Sequence, residues 1–186
     1  HLLFTGSTAV GHQVMHAASD NLTPVTLELG GKSPAIIGPT AAPESGPSAH
    51  FDQAVRRIVI GKTFNAGQTC IAPDYAFVPR GQLSQFIESA RRAVMHFYPA
   101  LATTRDYTSI ISERHFARLQ NLVEDAVARG AKAWPLSDAQ NDPHRRLFAP
   151  IVLTHVPADS AVLAEEIFGP VLPVIAYDDL GEAIAQ

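Results

Sequence analysis

Leu2-Leu3-Phe4-Thr5 is a short continuous apolar run closed by Gly6-Ser7-Thr8, and behind it Val10, Val14, Ala17 and Ala18 recur at helical spacing. The pattern predicts a strand, a glycine turn and a helix. Between Thr23 and Ile37 two apolar, β-favouring runs flank Gly30-Gly31, while Pro39 to His50, rich in Pro, Ala, Ser and Gly, reads as a mobile loop. Asp52 then opens a helix with Val55, Ile58, Val59 and Lys62 on one stripe. Tyr75-Ala76-Phe77-Val78 follows as a strand. Leu83, Phe86 or Ile87, Ala90, Val94 and Phe97 mark an amphipathic helix. Ser112 caps a second, which carries Phe116, Leu119, Leu122, Val123, Ala126 and Val127 and stops at Gly130. Trp134-Pro135 begins an extended piece, 148–153 and 171–176 read as strands, 161–167 as a short helix, and Asp178-Asp179 introduces a last helix. Strands alternating with helices imply an α/β fold, a mainly parallel sheet with helices on both faces and its sites at strand C-terminal ends.

With 186 residues, 46% hydrophobic and 17% charged, the chain is long enough for one cored domain, or for one domain plus a fragment of another. Both ends look abrupt, as in a piece of something longer. A net charge of −4 gives no electrostatic footprint for nucleic acid or an anionic membrane. No apolar run approaches the roughly 18 residues of a bilayer span. The expectation is a soluble, cytoplasmic protein with neither nucleic acid nor membrane as partner. The eight histidines are scattered, His12 and His16 being a lone i, i+4 pair, and no Cys-x-x-Cys spacing occurs, so no metal site is expected.

Chemistry concentrates at Asn65-Ala66-Gly67-Gln68-Thr69-Cys70, because Cys70 is the only cysteine and Gly67 and Pro73 punctuate the chain around it. A single cysteine is usually an inert buried hydrophobe. On a turn it is instead reachable, and turn N–H groups can face an oxyanion formed beside the sulfur, which makes Cys70 a candidate nucleophile. Glu28, between Leu27 and Leu29, is either an outward strand residue or, if it lines a cleft, a general base. Gly6-Ser7-Thr8 with Gly11 is either a structural turn or a place where phosphate meets a helix N-terminus. Glu166 and Phe168 before Gly169-Pro170 are either a helix-end carboxylate with a core ring or a pair suited to a nucleotide.

Taken together, Phe4-Thr5-Gly6-Ser7-Thr8, Leu27-Glu28-Leu29-Gly30-Gly31-Lys32-Ser33-Pro34, Asn65 to Cys70 and Glu165-Glu166-Ile167-Phe168-Gly169-Pro170 resemble the aldehyde dehydrogenase superfamily in order and separation. Thr69-Cys70-Ile71-Ala72-Pro73-Asp74-Tyr75 and the stretch 106–116 resemble its class 3 branch, especially the coniferyl-aldehyde dehydrogenases. The resemblance implies a three-layer αβα catalytic domain that oxidises an aldehyde, aromatic or medium-chain, to the acid with NAD or NADP. It makes Cys70 the nucleophile, through a thiohemiacetal and an acyl thioester, and Glu28 the base for hydrolysis. It assigns Gly6, Ser7, Gly11, Leu29, Gly30, Glu166 and Phe168 to the cofactor, gives Asn65 a supporting part, and implies a homodimer for the whole protein.

The family's lysine for the adenosine ribose, its oxyanion-hole asparagine and its C-terminal oligomerisation strand are not found in this sequence. Residues 1–30 are therefore expected to be the trailing edge of an NAD(P)-binding domain and 31–186 a catalytic domain truncated at its C-terminus, the chain by itself being nearly inactive. Two alternatives remain at this point: a coenzyme-A-acylating or phosphate-linked relative, against which Glu28 speaks, and a non-catalytic fragment or oligomerisation module, which thiol reactivity would separate.

Overall fold

Strands Leu2–Gly6 (β1) and Val25–Leu29 (β2) run parallel, with Leu2 opposite Val25 and Gly6 opposite Leu29, and helix Thr8–Ser19 (α1) makes the crossover. Ser7 caps α1, its Oγ accepting from Val10 N at 3.4 Å. Gly11 lets the helix lie close to β2, since a Cβ there would come within 3.0 Å of Leu29 Cδ2. The computed structural model describes residues 1–41 and 49–186. They divide into two units, His1–Gly31 and Lys32–Gln186.

The second unit is built on a five-stranded sheet of order β3-β4-β7-β6-β5, formed by Pro34–Ile36 (β3), Tyr75–Pro79 (β4), Lys132–Pro135 (β5), Ile151–Thr154 (β6) and Val171–Tyr177 (β7). Neighbours are parallel except the β5 edge, which runs antiparallel to β6. The crossovers are made by Ala49–Thr63 (α2) between β3 and β4, by Leu83–Phe97 (α3) and Glu113–Ala128 (α4) between β4 and β5, and by Ala161–Ala164 (α5) between β6 and β7. Leu180–Ala185 (α6) closes the chain.

Successive residues are buried along β4 and β7, as a parallel sheet covered on both faces requires. Ala76, Val78 and Val174 join the main core with Phe51, Val55, Val59, Phe86 and Leu119. Phe77 and Tyr177 pack instead with Ala183 of α6. Each large side chain buried here contributes about 2–3 kcal/mol.

Several boundaries differ from the sequence expectation. Helix α2 begins at Ala49, three residues before Asp52, because Phe51 already belongs to its buried stripe. Of the expected loop from Pro39 to His50, 39–41 form one 3-10 turn, 49 and 50 are helical, and 42–48 lie outside the described residues. Strand β6 starts at Ile151 rather than Phe148, whose ring turns aside onto Phe116 with centroids 5.3 Å apart. The helix expected over 161–167 ends at Ala164: Glu165 is extended, so Glu166 stands on a turn instead of a helix end. No helix among the described residues is long and apolar enough to cross a membrane.

Candidate active site

The cysteine turn is built by the way α2 ends. Phe51, Val55, Val59, Lys62 and Thr63 are its buried residues, and Thr63 Oγ1 donates back to Val59 O at 2.8 Å. The chain then takes three successive left-handed residues, Asn65 at φ 50°, Ala66 at φ 52° and Gly67 at φ 73°. Two of them carry a Cβ, at about 1–2 kcal/mol each. What holds them is visible. Asn65 Nδ2 donates to Gln68 O at 3.1 Å and Gln68 N to Asn65 O at 3.1 Å. Gln68 reaches further, donating through Nε2 to Ser109 O at 3.1 Å and accepting from Ile111 N at 2.9 Å. Cys70 follows on a turn closed by Ala72 N donating to Thr69 O at 3.1 Å, and its side chain is exposed. Phe64 and Ile71, 67% and 84% exposed, give the same segment apolar surface.

Gly67 brings a second turn against this one: a Cβ on it would lie 2.4 Å from Gly169 O. Gly169 closes the segment of Glu166 and Phe168, both half-buried, with Phe168 itself left-handed at φ 51°. Asp74, buried four residues past the cysteine, accepts from Ile167 N on Oδ1 at 2.9 Å and pairs with Lys32 through Oδ2. Lys32 Nζ also donates to Val162 O at 3.1 Å and Glu165 O at 2.9 Å. Arg118 of α4 donates to Glu166 O at 3.1 Å and to Ile167 O. Lys62 points its buried ammonium into the same region without a hydrogen-bond partner among the described residues. Burial pulls its pKa from 10.5 down to about 8, with Asp74 opposing that shift and Lys32 adding to it.

Both turns precede strands, the cysteine before β4 and Glu166 before β7. They sit at the N-terminal edge of the parallel strands, not the C-terminal edge expected, because α2 runs back along the sheet and delivers its C-terminus there. In the first unit, Leu29 meets Gly6 and Gly11, and Glu28 points outward on β2 opposite Thr5. Gly30 ends that strand. Cys70, Glu166 and Phe168 thus share the second unit, while Gly6, Ser7, Gly11, Glu28, Leu29 and Gly30 belong to the first. The sequence reading passed over Asp74, Lys32, Arg118 and Gln68. Lys62 had been read only as part of a helix stripe, although a lysine among Val55, Ile58 and Val59 is itself a signal.

A solvent-facing thiol on a strained turn, with a carboxylate and an aromatic ring carried by the adjoining turn, is an arrangement that covalent chemistry of the cysteine type can use. The chain belongs to the aldehyde dehydrogenase family, whose profile matches residues 1–186. It is 47% identical over 186 residues to a probable coniferyl aldehyde dehydrogenase of Pseudomonas aeruginosa, covering 100% of this chain and 37% of that protein. To the dimeric, NADP-preferring aldehyde dehydrogenase of Rattus norvegicus it is 42% identical over 185 residues, covering 99% of this chain and 38% of the relative. The substrate-bound state of Staphylococcus aureus AldH superposes with a TM-score of 0.84 at 40% identity, over 98% of this chain and 37% of that one. The chain therefore spans little more than a third of the length of these relatives.

Proposed function

We propose that the chain is the thiol-bearing part of an NAD(P)-dependent aldehyde dehydrogenase that oxidises an aromatic, coniferaldehyde-like or medium-chain aldehyde to its acid. The whole protein works as a cytoplasmic homodimer. Residues 1–30 are the trailing edge of the cofactor domain and the remainder is catalytic domain; the 186 residues by themselves are nearly inactive. The observation that carries this reading is the exposed Cys70 on a left-handed turn abutting the turn of Glu166 and Phe168.

The residues present fit a dinucleotide. Ser7 caps a twelve-residue helix directly after a parallel strand, where the helix end favours an anion. Gly6, Gly11, Leu29 and Gly30 shape that strand-to-helix turn, and Glu166 and Phe168 offer a carboxylate for a ribose hydroxyl and a ring for a flat heterocycle. The NADP preference of the rat relative favours NADP over NAD.

In the reaction the Cys70 thiolate adds to the aldehyde carbon, breaking the carbonyl π bond and giving a thiohemiacetal whose oxygen carries the negative charge, so that loss of hydride leaves a neutral thioester. When bound, the oxidised nicotinamide supplies a hydride acceptor. Loss of hydride from the thiohemiacetal carbon leaves an acyl thioester on Sγ. Glu28 takes a proton from the water that adds to this thioester, and collapse releases the carboxylic acid and restores the thiolate.

The test is NAD(P)H formation from coniferaldehyde and a series of aliphatic aldehydes by the full-length protein. Cys70→Ser abolishes turnover, and Glu28→Gln gives a burst of reduced cofactor with the thioester accumulating. An active serine variant overturns the reading. Product appearing only with coenzyme A present makes the protein an acylating enzyme instead.

A further inference from the structure

Ile167 lies between the two residues assigned to the cofactor, and both of its peptide groups are gripped by ionised side chains. Asp74 Oδ1 accepts from its N–H at 2.9 Å, and Arg118 donates to its carbonyl and, at 3.1 Å, to that of Glu166. Charge-assisted bonds of this kind are about twice as strong as neutral ones. They act where the chain needs holding, since Phe168 next along is left-handed at φ 51°.

The charges around Asp74 are not those of an efficient stabilising pair. One buried carboxylate is bonded to Lys32 and also acts electrostatically on Lys62, whose buried ammonium has no hydrogen-bond partner among the described residues and feels the charges of Lys32 and Glu166 as well. Apolar side chains of similar size would serve stability at least as well. The cluster instead ties together the segment after β2, the start of β4 just past Cys70, and the turn of Glu166 and Phe168. We propose that Asp74 and Arg118 are positioning residues that fix this turn for the cofactor, from the strand that leaves the nucleophile on one side and from α4 on the other. The proposal rests on the cofactor role of Glu166.

The experiment uses the full-length enzyme with Asp74→Asn, Arg118→Met and their double, each with and without Glu166→Gln. NAD(P)H dissociation constants are read by fluorescence, and the Cys70 alkylation rate by iodoacetamide without cofactor. Arg118 is partly exposed and its methionine variant keeps the stem packed, which protects the test if Asp74→Asn folds poorly. Each single variant is expected to weaken NAD(P)H binding about 10-fold, the double no more than the worse single, and Glu166→Gln to add nothing to either, since all act through one contact. Alkylation stays within about twofold of wild type. Multiplicative losses in the double, or alkylation falling in step with affinity, overturns the proposal in favour of a general structural role. If Glu166→Gln alone binds NAD(P)H as wild type does while the Asp74 and Arg118 variants do not, it is the reading of Glu166 that fails, and the proposal with it.

Discussion

Gly67 and Gly169 stand backbone against backbone: a Cβ on Gly67 would lie 2.4 Å from Gly169 O and 2.8 Å from Lys62 O. This contact makes the cysteine turn and the turn of Glu166 and Phe168 one object. Gly67 also sits at φ 73°. Gly67→Ala therefore meets strain and collision together, and is expected to cost more than about 3 kcal/mol and to abolish activity. Gly130 is the control, at φ 114° with open space around its Cα, so Gly130→Ala carries strain alone, about 1–2 kcal/mol. Urea denaturation of the full-length variants checks the pair; equal costs would mean that the Gly169 contact is unimportant.

Lys62 is expected to weaken the fold at neutral pH. The unfolded chain keeps this proton up to pH 10.5 and the folded chain only to about 8, so folding expels a proton in that window and stability rises with pH across it. Below pH 8 the penalty is complete. Lys62→Met fills the same space without the charge and is expected to stabilise by about 3 kcal/mol at pH 7, an advantage that fades toward pH 10.5. A variant less stable than wild type at pH 7 would show that Asp74 and Glu166 outweigh the desolvation of the ammonium.

How much of this was legible in the sequence depends on which interactions were local. The β1-turn-α1 start, α3 and α4 follow from hydrophobic period, the Gly6-Ser7-Thr8 turn and the Ser112 cap, and all are present. Cys70 was conspicuous as the only cysteine, punctuated by Gly67 and Pro73. The left-handed run through Asn65 and Ala66 was not legible, because Asn tolerates that conformation as a single residue but Ala does not favour it; it is held by Gln68 and by the backbone of Gly169, a hundred residues away. The Asp74 cluster was hidden for the same reason, its partners Lys32 and Ile167 being distant in sequence. The N-terminal-edge placement of both turns needed the strand order, which periodicity does not contain.

Tyr107 offers a local test of the frame. Its hydroxyl, buried, donates to Phe148 O at 2.9 Å, and burial pushes its pKa well above the usual phenol value. Tyr107→Phe is expected to cost about 1 kcal/mol in thermal denaturation and to leave NAD(P)H affinity unchanged. A shift in affinity would mean that this frame reaches the cofactor turn.

Gln68 tests whether the nucleophile's turn must be held from outside itself. Its amide bridges Ser109 O and Ile111 N, and these bonds fasten the left-handed run to the segment before α4. Gln68→Leu removes both bonds, together with the Nε2 bond to Asn65 O at 3.0 Å, at similar volume and is expected to lower kcat/KM about 10- to 100-fold, since small misplacements of a reacting group are costly. Gln68→Glu keeps an acceptor for Ile111 N but loses the donor to Ser109 O, and should fall between. Steady-state kinetics of the full-length variants, read beside their iodoacetamide rates, separate the cases. If Gln68→Leu keeps both kinetics and alkylation within about twofold of wild type, the turn holds its own shape through Asn65 and Gly67 and the external bridge is dispensable.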